Sequence, residues 1–347
     1  MLTLNTLPTK AARLCLKIEK FCRKYYPFEN NTHIILALSG GSDSTALACI
    51  MTCLKNRMNL NLSAIALDHN LRKESKNEIE FVSELCKKLE INCNIYSKNI
   101  KKIAKETHQG IEETGRIIRY KLFEEERKKN NAQLIALGHQ KSDLTEDIIL
   151  RFMRGTGWPA LGGMNAYDNE RKIIRPLLHI KPNELKNFLI ECNISWIEDK
   201  SNNNKIFLRN YVRHEILPKI TLKNPNIEDN GLTLWHLSQY DKDYFNTQLN
   251  KVLENNPLNI KKENNITTLS ISKNVLQNLH SAIRLRLYIF TLRYIEKSYN
   301  IQFQARFKTL LALENAVQAK KGNTTFQFSK NITAKFKNGN VVFSINV

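Results

Sequence analysis

The chain is 347 residues long, enough for two domains with separate cores. Its 53 Lys and Arg against 33 Asp and Glu leave a formal charge of +20, which favours a polyanionic partner, nucleic acid ahead of a membrane surface. Seven cysteines without a Cys-x-x-Cys pair argue against a disulfide framework or a zinc site, and no apolar run approaches a membrane span, so a reduced, cytoplasmic protein is expected.

The chain opens with an amphipathic helix carrying Leu14, Ile18, Phe21, Cys22 and Tyr25 on one side. The apolar run Ile34–Leu38 reads as a first strand, followed by the turn Ser39-Gly40-Gly41-Ser42-Asp43-Ser44 and a helix from Thr45. A second strand, Leu62–Leu67, ends at Asp68-His69-Asn70-Leu71-Arg72, and Ser75 with Glu78 makes a capping box for the next helix. A third strand near Cys93–Tyr96, a helix over Ile111–Lys129 and a fourth strand, Leu134–Leu137, come next. Gly138-His139 then opens a helix to about Met153. The glycine-rich stretch Arg154–Met164 lacks dinucleotide-turn spacing and reads as a mobile or substrate-facing loop. A short strand at Lys172–Ile174 and a helix over Pro182–Cys192 complete this alternation, which predicts an α/β, doubly wound parallel sheet. The Asn-rich stretch Leu222–Gly231 reads as an interdomain connection, giving domains at residues 1–221 and 232–347. The second is expected to be mostly helical, with runs at Ala282–Glu296 and Phe303–Ala319, and to end in a small β element whose Asn338-Gly339 suits a type I′ hairpin.

In an open sheet of this kind ligands bind beyond the carboxyl ends of the strands, where the Ser39–Ser44 turn, Asp68-His69 and Gly138-His139 all fall. Two adjacent glycines let backbone approach a phosphate closely, the serines add donors, and the new helix points unpaired N–H groups at the same anion. Asp43 is placed to hold a magnesium ion between phosphate oxygens. No P-loop lysine is present. Asp143 and Glu146 share one face near a helix start, suited to orienting an amine or accepting its proton; read alone they are equally capping residues. Glu112, Arg116 and Arg119 share a face, as do Arg209 and Arg213, and each guanidinium suits a phosphate or carboxylate as well as a solvated ion pair. Arg286, Arg293 and Lys297 repeat at helical spacing, a basic face able to follow an RNA backbone.

The Ser-Gly-Gly-x-Asp-Ser turn resembles the loop of the N-type ATP pyrophosphatases, whose fold is adenine nucleotide α-hydrolase-like, and the ordered set of motifs resembles the tRNA(Ile)-lysidine synthase family. That set comprises Ser39–Ser44, Asp68–Arg72, Gly110–Glu113 with Arg116, Arg119 and Tyr120, Gly138-His139 with Asp143 and Glu146, Arg154–Gly157, Gly163-Met164, Arg175-Pro176-Leu177, and Glu198-Asp199 with Ser201-Asn202, Arg209-Asn210 and Arg213. The resemblance implies a ligase that adenylates C2 of the wobble cytidine in tRNA(Ile) with a CAU anticodon, using ATP and Mg²⁺, and then joins L-lysine there with release of AMP and pyrophosphate. It further implies ATP binding by Ser39, Gly40, Gly41, Ser42, Asp43, Ser44, Asp68, His69 and Arg116, and metal binding by Asp43. Asp143, Glu146 and Arg209 are implied to bind lysine, and Arg72, Arg119, Arg213, Arg286 and Arg293 to contact RNA. Asp43, Asp143, Glu146 and His139 form the implied catalytic set. Ser142, Asp147 and Gln140 depart from the family pattern, which bears on the detail of the lysine pocket. Oligomeric state is left open, a homodimer included.

Three other readings stand beside this one. Small-molecule amidation, as by an asparagine, GMP or NAD synthetase, is disfavoured because no N-terminal cysteine glutaminase signature is present and a charge of +20 does not suit such a substrate. A tRNA thiolase of the same superfamily needs cysteines to carry sulfur, and the absence of a Cys-x-x-Cys pair disfavours it. A non-catalytic RNA-binding protein on the same fold has no need of Asp43, Asp143 and Glu146 together.

Overall fold

The computed structural model describes residues 2–68, 75–198, 208–263, 266–299, 301, 306–319, 322 and 324–346. His69, Asn70, Leu71, Arg72, Asp199, Ser201, Asn202 and the side chains of Ser75, with its capping box, and Glu112 therefore lie outside the described residues. The chain divides into two units, Met1–Gln239 and Tyr240–Val347.

In the first unit, α1 (Thr9–Tyr25) buries Cys15, Ile18, Phe21 and Cys22 on one face, the stripe its amphipathic spacing predicts. Then follow β1 (Thr32–Leu38), α2 (Ser42–Leu54), β2 (Leu60–Asp68), α3 (Ser75–Lys88), β3 (Asn92–Ser97), α4 (Ile100–Glu106), α5 (Ile111–Lys129), β4 (Leu134–Ala136) and α6 (Lys141–Met153). Two short strands, β5 (Tyr167–Asp168) and β6 (Ile173–Ile174), precede α7 (Pro182–Glu191). The sheet order is β3-β2-β1-β4-β6-β5, parallel except that β5 runs antiparallel beside β6. Ile34, Ile35 and Leu36 are fully buried because β1 is covered on both faces, which is why this strand reads as an unbroken apolar run. α2 has no polar side beyond its first turn and is buried from Ser44 to Met51, so it packs as a central helix. Because β1 sits between β2 and β4, strand order reverses there and a crevice opens beyond the ends of β1 and β4.

The glycine-rich stretch corrects an expectation. Residues 154–158 are largely exposed, but Gly162 and Gly163 are buried. A Cβ on Gly162 would fall 2.1 Å from Ser238 Oγ, and one on Gly163 2.7 Å from Leu144 Cδ1. The second half of Arg154–Met164 is thus a packed connection whose glycines permit close helix contact.

From Leu208 the chain is helical to Lys223, as α8 (Leu208–Tyr211), a π-helical turn (Val212–Ile216) and α9 (Leu217–Lys223). The Leu217 N–H donates to Val212 O, and Pro218 has no N–H with which to resume the ladder at once. α10 (Ile227–Asn255) begins inside the stretch Leu222–Gly231 read as a connection, and the division between the units, after Gln239, falls within this helix. Its first half belongs to the first unit because Trp235 is fully buried there and donates Nε1–H to Met164 O at 2.8 Å.

The second unit holds a five-stranded antiparallel sheet in the order β7-β8-β11-β10-β9. It is built from β7 (Asn259–Glu263), β8 (Ile266–Ser272), β9 (Thr325–Gln327), β10 (Ile332–Lys337) and β11 (Asn340–Asn346), with α11 (Lys273–Asn278), α12 (Ser281–Tyr299) and α13 (Phe307–Gln318) between β8 and β9. Asn338 and Gly339 both take positive φ (48° and 72°) between β10 and β11, the hairpin expected from that pair. β7 and β8 were not expected. β7 is an exposed edge strand, Asn-Ile-Lys-Lys-Glu, whose polar composition hides it, so the terminal hairpin is part of a larger sheet.

Candidate functional site

The turn after β1 is held by its own side chains. Ser39 N donates to Ser44 Oγ at 3.2 Å, and Ser44 Oγ donates to Gly41 O at 3.1 Å. Gly40 has φ +82°, a left-handed conformation that L side chains rarely adopt, and its carbonyl accepts from Ile197 N at 2.9 Å. α2 starts at Ser42 with no side-chain cap on its first N–H groups, which leaves those donors to an anion. The exit from β4 lies against this turn: a Cβ on Gly138 would sit 3.2 Å from the backbone of Asp43 and Ser44. A Cβ there would press on that backbone, so glycine lets the exit from β4 lie close against the start of α2.

Asp43 stands in the first turn of α2. Burial, and then the negative charge of Asp143, push its carboxyl up to about 6. A carboxylate that is costly to ionise unaided, beside a second carboxylate and a turn suited to phosphate, is a donor set that fits a hard cation such as magnesium.

α6 supplies the acid pair. Its cap is reciprocal: Gln140 Oε1 accepts from Ser142 N at 2.6 Å, and Gln140 N donates to Asp143 Oδ2 at 3.0 Å. Asp143 is therefore a capping residue through one oxygen, while its other oxygen accepts from Arg209 Nη2 at 2.9 Å and Arg213 Nη2 at 2.8 Å. Glu146 Oε1 accepts from Arg213 Nε at 2.6 Å, and Oε2 accepts from Arg213 Nη2 at 2.9 Å and Arg209 Nε at 3.1 Å. The Glu146 and Asp143 side chains are only 1% and 10% exposed, whereas Arg209 and Arg213 are 35% and 30% exposed. The arginines thus cover the acids from solvent. Burial alone raises the Asp143 carboxyl, but the charges of His139, Arg209 and Arg213 and the Gln140 N–H outweigh it and hold the group low. Burial also pushes the half-buried His139 down to about 3, so at neutral pH the guanidiniums carry that effect. His139 Nδ1 is buried without a hydrogen-bond partner.

The other expected residues are dispersed. Asp68 ends β2, one strand away from β1, and accepts a long bond from Ser97 Oγ at 3.4 Å. Arg116 is exposed on α5 with its guanidinium 5.6 Å from the Tyr120 ring centroid. Arg119, also exposed, lies near enough to depress His139. Arg286 and Arg293 are on α12 in the second unit, where Arg286 stacks 3.3 Å from the Phe245 ring centroid and Arg293 is exposed. Sequence reasoning missed Gln140 as the reciprocal cap. It also missed Lys141, a buried lysine paired with Asp229, which Lys181 holds too at 2.9 Å. The cysteines, dispersed in sequence, gather in space as free thiols: Cys15 and Cys53 share a hydrogen bond, with Cys49 and Cys192 nearby, and Cys86 and Cys93 share another. Among the described residues no group of three or more His, Cys, Asp or Glu is arranged to hold a metal ion.

Residues 11–220 match the family model described as a PP-loop domain. The chain is 38% identical to a tRNA(Ile)-lysidine synthase of Nitratidesulfovibrio vulgaris over 90% of its own length and 92% of the relative's. It is 35% identical to a tRNA(Ile)-lysidine synthase of Thermosipho africanus over 67% of its length, spanning about half (55%) of that protein. Among solved structures, the U34-tRNA thiolase NcsA of Methanococcus maripaludis is similar in fold, with TM-score 0.53 and 17% identity over 65% of this chain and 78% of that one.

Proposed function

The chain belongs to the tRNA(Ile)-lysidine synthase family of PP-loop enzymes, and on that premise we propose that it ligates L-lysine to C2 of the wobble cytidine of a CAU-anticodon tRNA(Ile). ATP first adenylates the C2 oxygen with loss of pyrophosphate, and the lysine side-chain amine then displaces AMP. The observation that carries this reading is the convergence of the Ser39–Ser44 turn with Asp143 and Glu146 at the point where strand order reverses.

In this reading the turn's N–H groups and hydroxyls hold the departing pyrophosphate, where they oppose charge that builds up in the transition state. Asp43 would hold magnesium, which would supply neutralisation of phosphate charge there. Asp143 and Glu146 receive the lysine ammonium and take its proton, since only the neutral amine attacks. Arg209 takes the lysine carboxylate, and neutral His139 contacts the adenylate. Arg116 and Asp68 serve the nucleotide; Arg119, Arg286 and Arg293 serve the RNA, in keeping with the net charge of +20. Arg213, whose guanidinium lies on Glu146, serves the acid pair and not the RNA. The thiolase reading is disfavoured because Cys15, Cys22, Cys49, Cys53 and Cys86 are buried, five of the seven thiols, and none is among the residues of the turn or the acid pair.

The test is AMP release from ATP with the transcript, magnesium and each amino acid in turn. Release that needs that tRNA and lysine together, with labelled lysine entering the RNA, is the expected result. Uptake of sulfur in place of lysine would replace this reading with the thiolase.

A further inference from the structure

The acid pair proposed to receive the amine is not open. All four carboxylate oxygens of Asp143 and Glu146 already accept hydrogen bonds, from Gln140 N, Arg209 or Arg213. The carboxylates lie beneath the guanidiniums, so an incoming ammonium reaches them only if an arginine moves. The two arginines are not held alike. Arg213 grips Glu146 side-on through Nε and Nη2, at 2.6 and 2.9 Å, and reaches Asp143 as well. Arg209 makes single bonds to two different acids, 3.1 Å to Glu146 and 2.9 Å to Asp143, and is the more exposed of the pair. A fork held at both teeth resists displacement better than two single contacts.

We propose that the amino-acid substrate enters by ion-pair exchange at Arg209: its side-chain ammonium takes the carboxylate oxygens that Arg209 vacates, and its carboxylate receives the freed guanidinium. This rests on the lysine reading above. Arg213 stays on Glu146 throughout as a positioning residue, keeping that carboxylate aimed. The exchange leaves no buried charge unpaired, because each ion that loses a partner gains one of the same sign. A monoamine or diamine can supply the ammonium but not the carboxylate. It would leave Arg209 without a partner, so the exchange itself discriminates for a zwitterionic substrate.

The experiment compares L-lysine with 1,5-diaminopentane as the amine joined to tRNA, in the wild-type enzyme and in Arg209→Gln, Arg209→Lys and Arg213→Gln. The wild type should favour lysine on the order of 100-fold in kcat/KM, the scale set by leaving a partner charge unpaired. In Arg209→Gln that preference should fall below about 10-fold, with lysine losing and the diamine gaining, because the acids are now uncovered for either amine. Arg209→Lys, a point charge without a fork, should fall between the two. Arg213→Gln should lower both amines together with little change in their ratio. Equal losses for the two amines in Arg209→Gln would overturn the exchange, as would an unchanged ratio. A rise in KM for tRNA alone would overturn it in favour of an RNA contact. A wild-type enzyme that joins neither amine would instead remove the lysine reading itself.

Discussion

Arg213 holds Glu146 side-on, Nε to Oε1 at 2.6 Å and Nη2 to Oε2 at 2.9 Å, across 67 residues of sequence. Because Glu146 is 1% exposed while Arg213 is 30% exposed, this is a buried carboxylate secured by a cation at the surface of the site. Arg213→Gln leaves Arg209 as the remaining cation on Glu146. It should cost about 2 kcal/mol in urea unfolding, below the range for a fully buried pair because the guanidinium is partly solvated. Arg213→Lys should recover less than half of that loss, since an ammonium cannot span both oxygens.

Asp43 gives a prediction opposite in sign to the usual carboxylate. Its folded-state carboxyl is pushed up to about 6, by burial first and by Asp143 second, from an ordinary value near 3.8. Below pH 4 it is protonated whether folded or unfolded and costs nothing. Between pH 4 and about 6 the unfolded chain ionises first, so stability is lost as pH rises through that window. Asp43→Asn should therefore be more stable than the wild type by about 1–3 kcal/mol at pH 7 and equal to it near pH 3.5. The same variant should lose AMP release. An Asp43→Asn protein no more stable at pH 7 than the wild type would refute the assignment.

Gly138 and Gly41 separate packing from ligand approach. A Cβ at 138 meets backbone of Asp43 and Ser44 at 3.2 Å, which cannot swing aside, whereas one at 41 meets only Ser39 Oγ at 3.7 Å. Gly138→Ala should lower stability by about 1 kcal/mol and reduce AMP release by displacing the turn. Gly41→Ala should unfold like the wild type yet bind ATP at least 10-fold more weakly, as about 1.4 kcal/mol of lost phosphate contact would give. Equilibrium unfolding and nucleotide titration distinguish the two.

Gly162 tests the packed half of the glycine-rich connection. Its Cβ would overlap Ser238 Oγ and Cβ, at 2.1 and 2.2 Å. Gly162→Ala should destabilise by about 1–3 kcal/mol. Adding Ser238→Gly should return part of the loss, a coupling that a double-mutant cycle measures directly.

What could be read in the sequence was whatever is settled within a few residues. The strand, turn and helix around Ser39–Ser44 follow from an apolar run, two glycines and a helix start. Asn338-Gly339 likewise specifies its own hairpin. The alternation of strands and helices predicts the parallel sheet, and with it the end of the sheet at which a ligand sits. β7 stayed hidden because an exposed edge strand needs no apolar face. The glycines at 162 and 163 read as freedom because the side chains that crowd them come from other helices. The tertiary structure alone decided what Arg209 and Arg213 do: their partners lie 63 to 70 residues away on α6, and nothing in local spacing tells a guanidinium which carboxylate it will meet. Local propensity selects the elements and the turn; charge pairing in a buried site is selected only when the fold removes water and brings the opposite charges together.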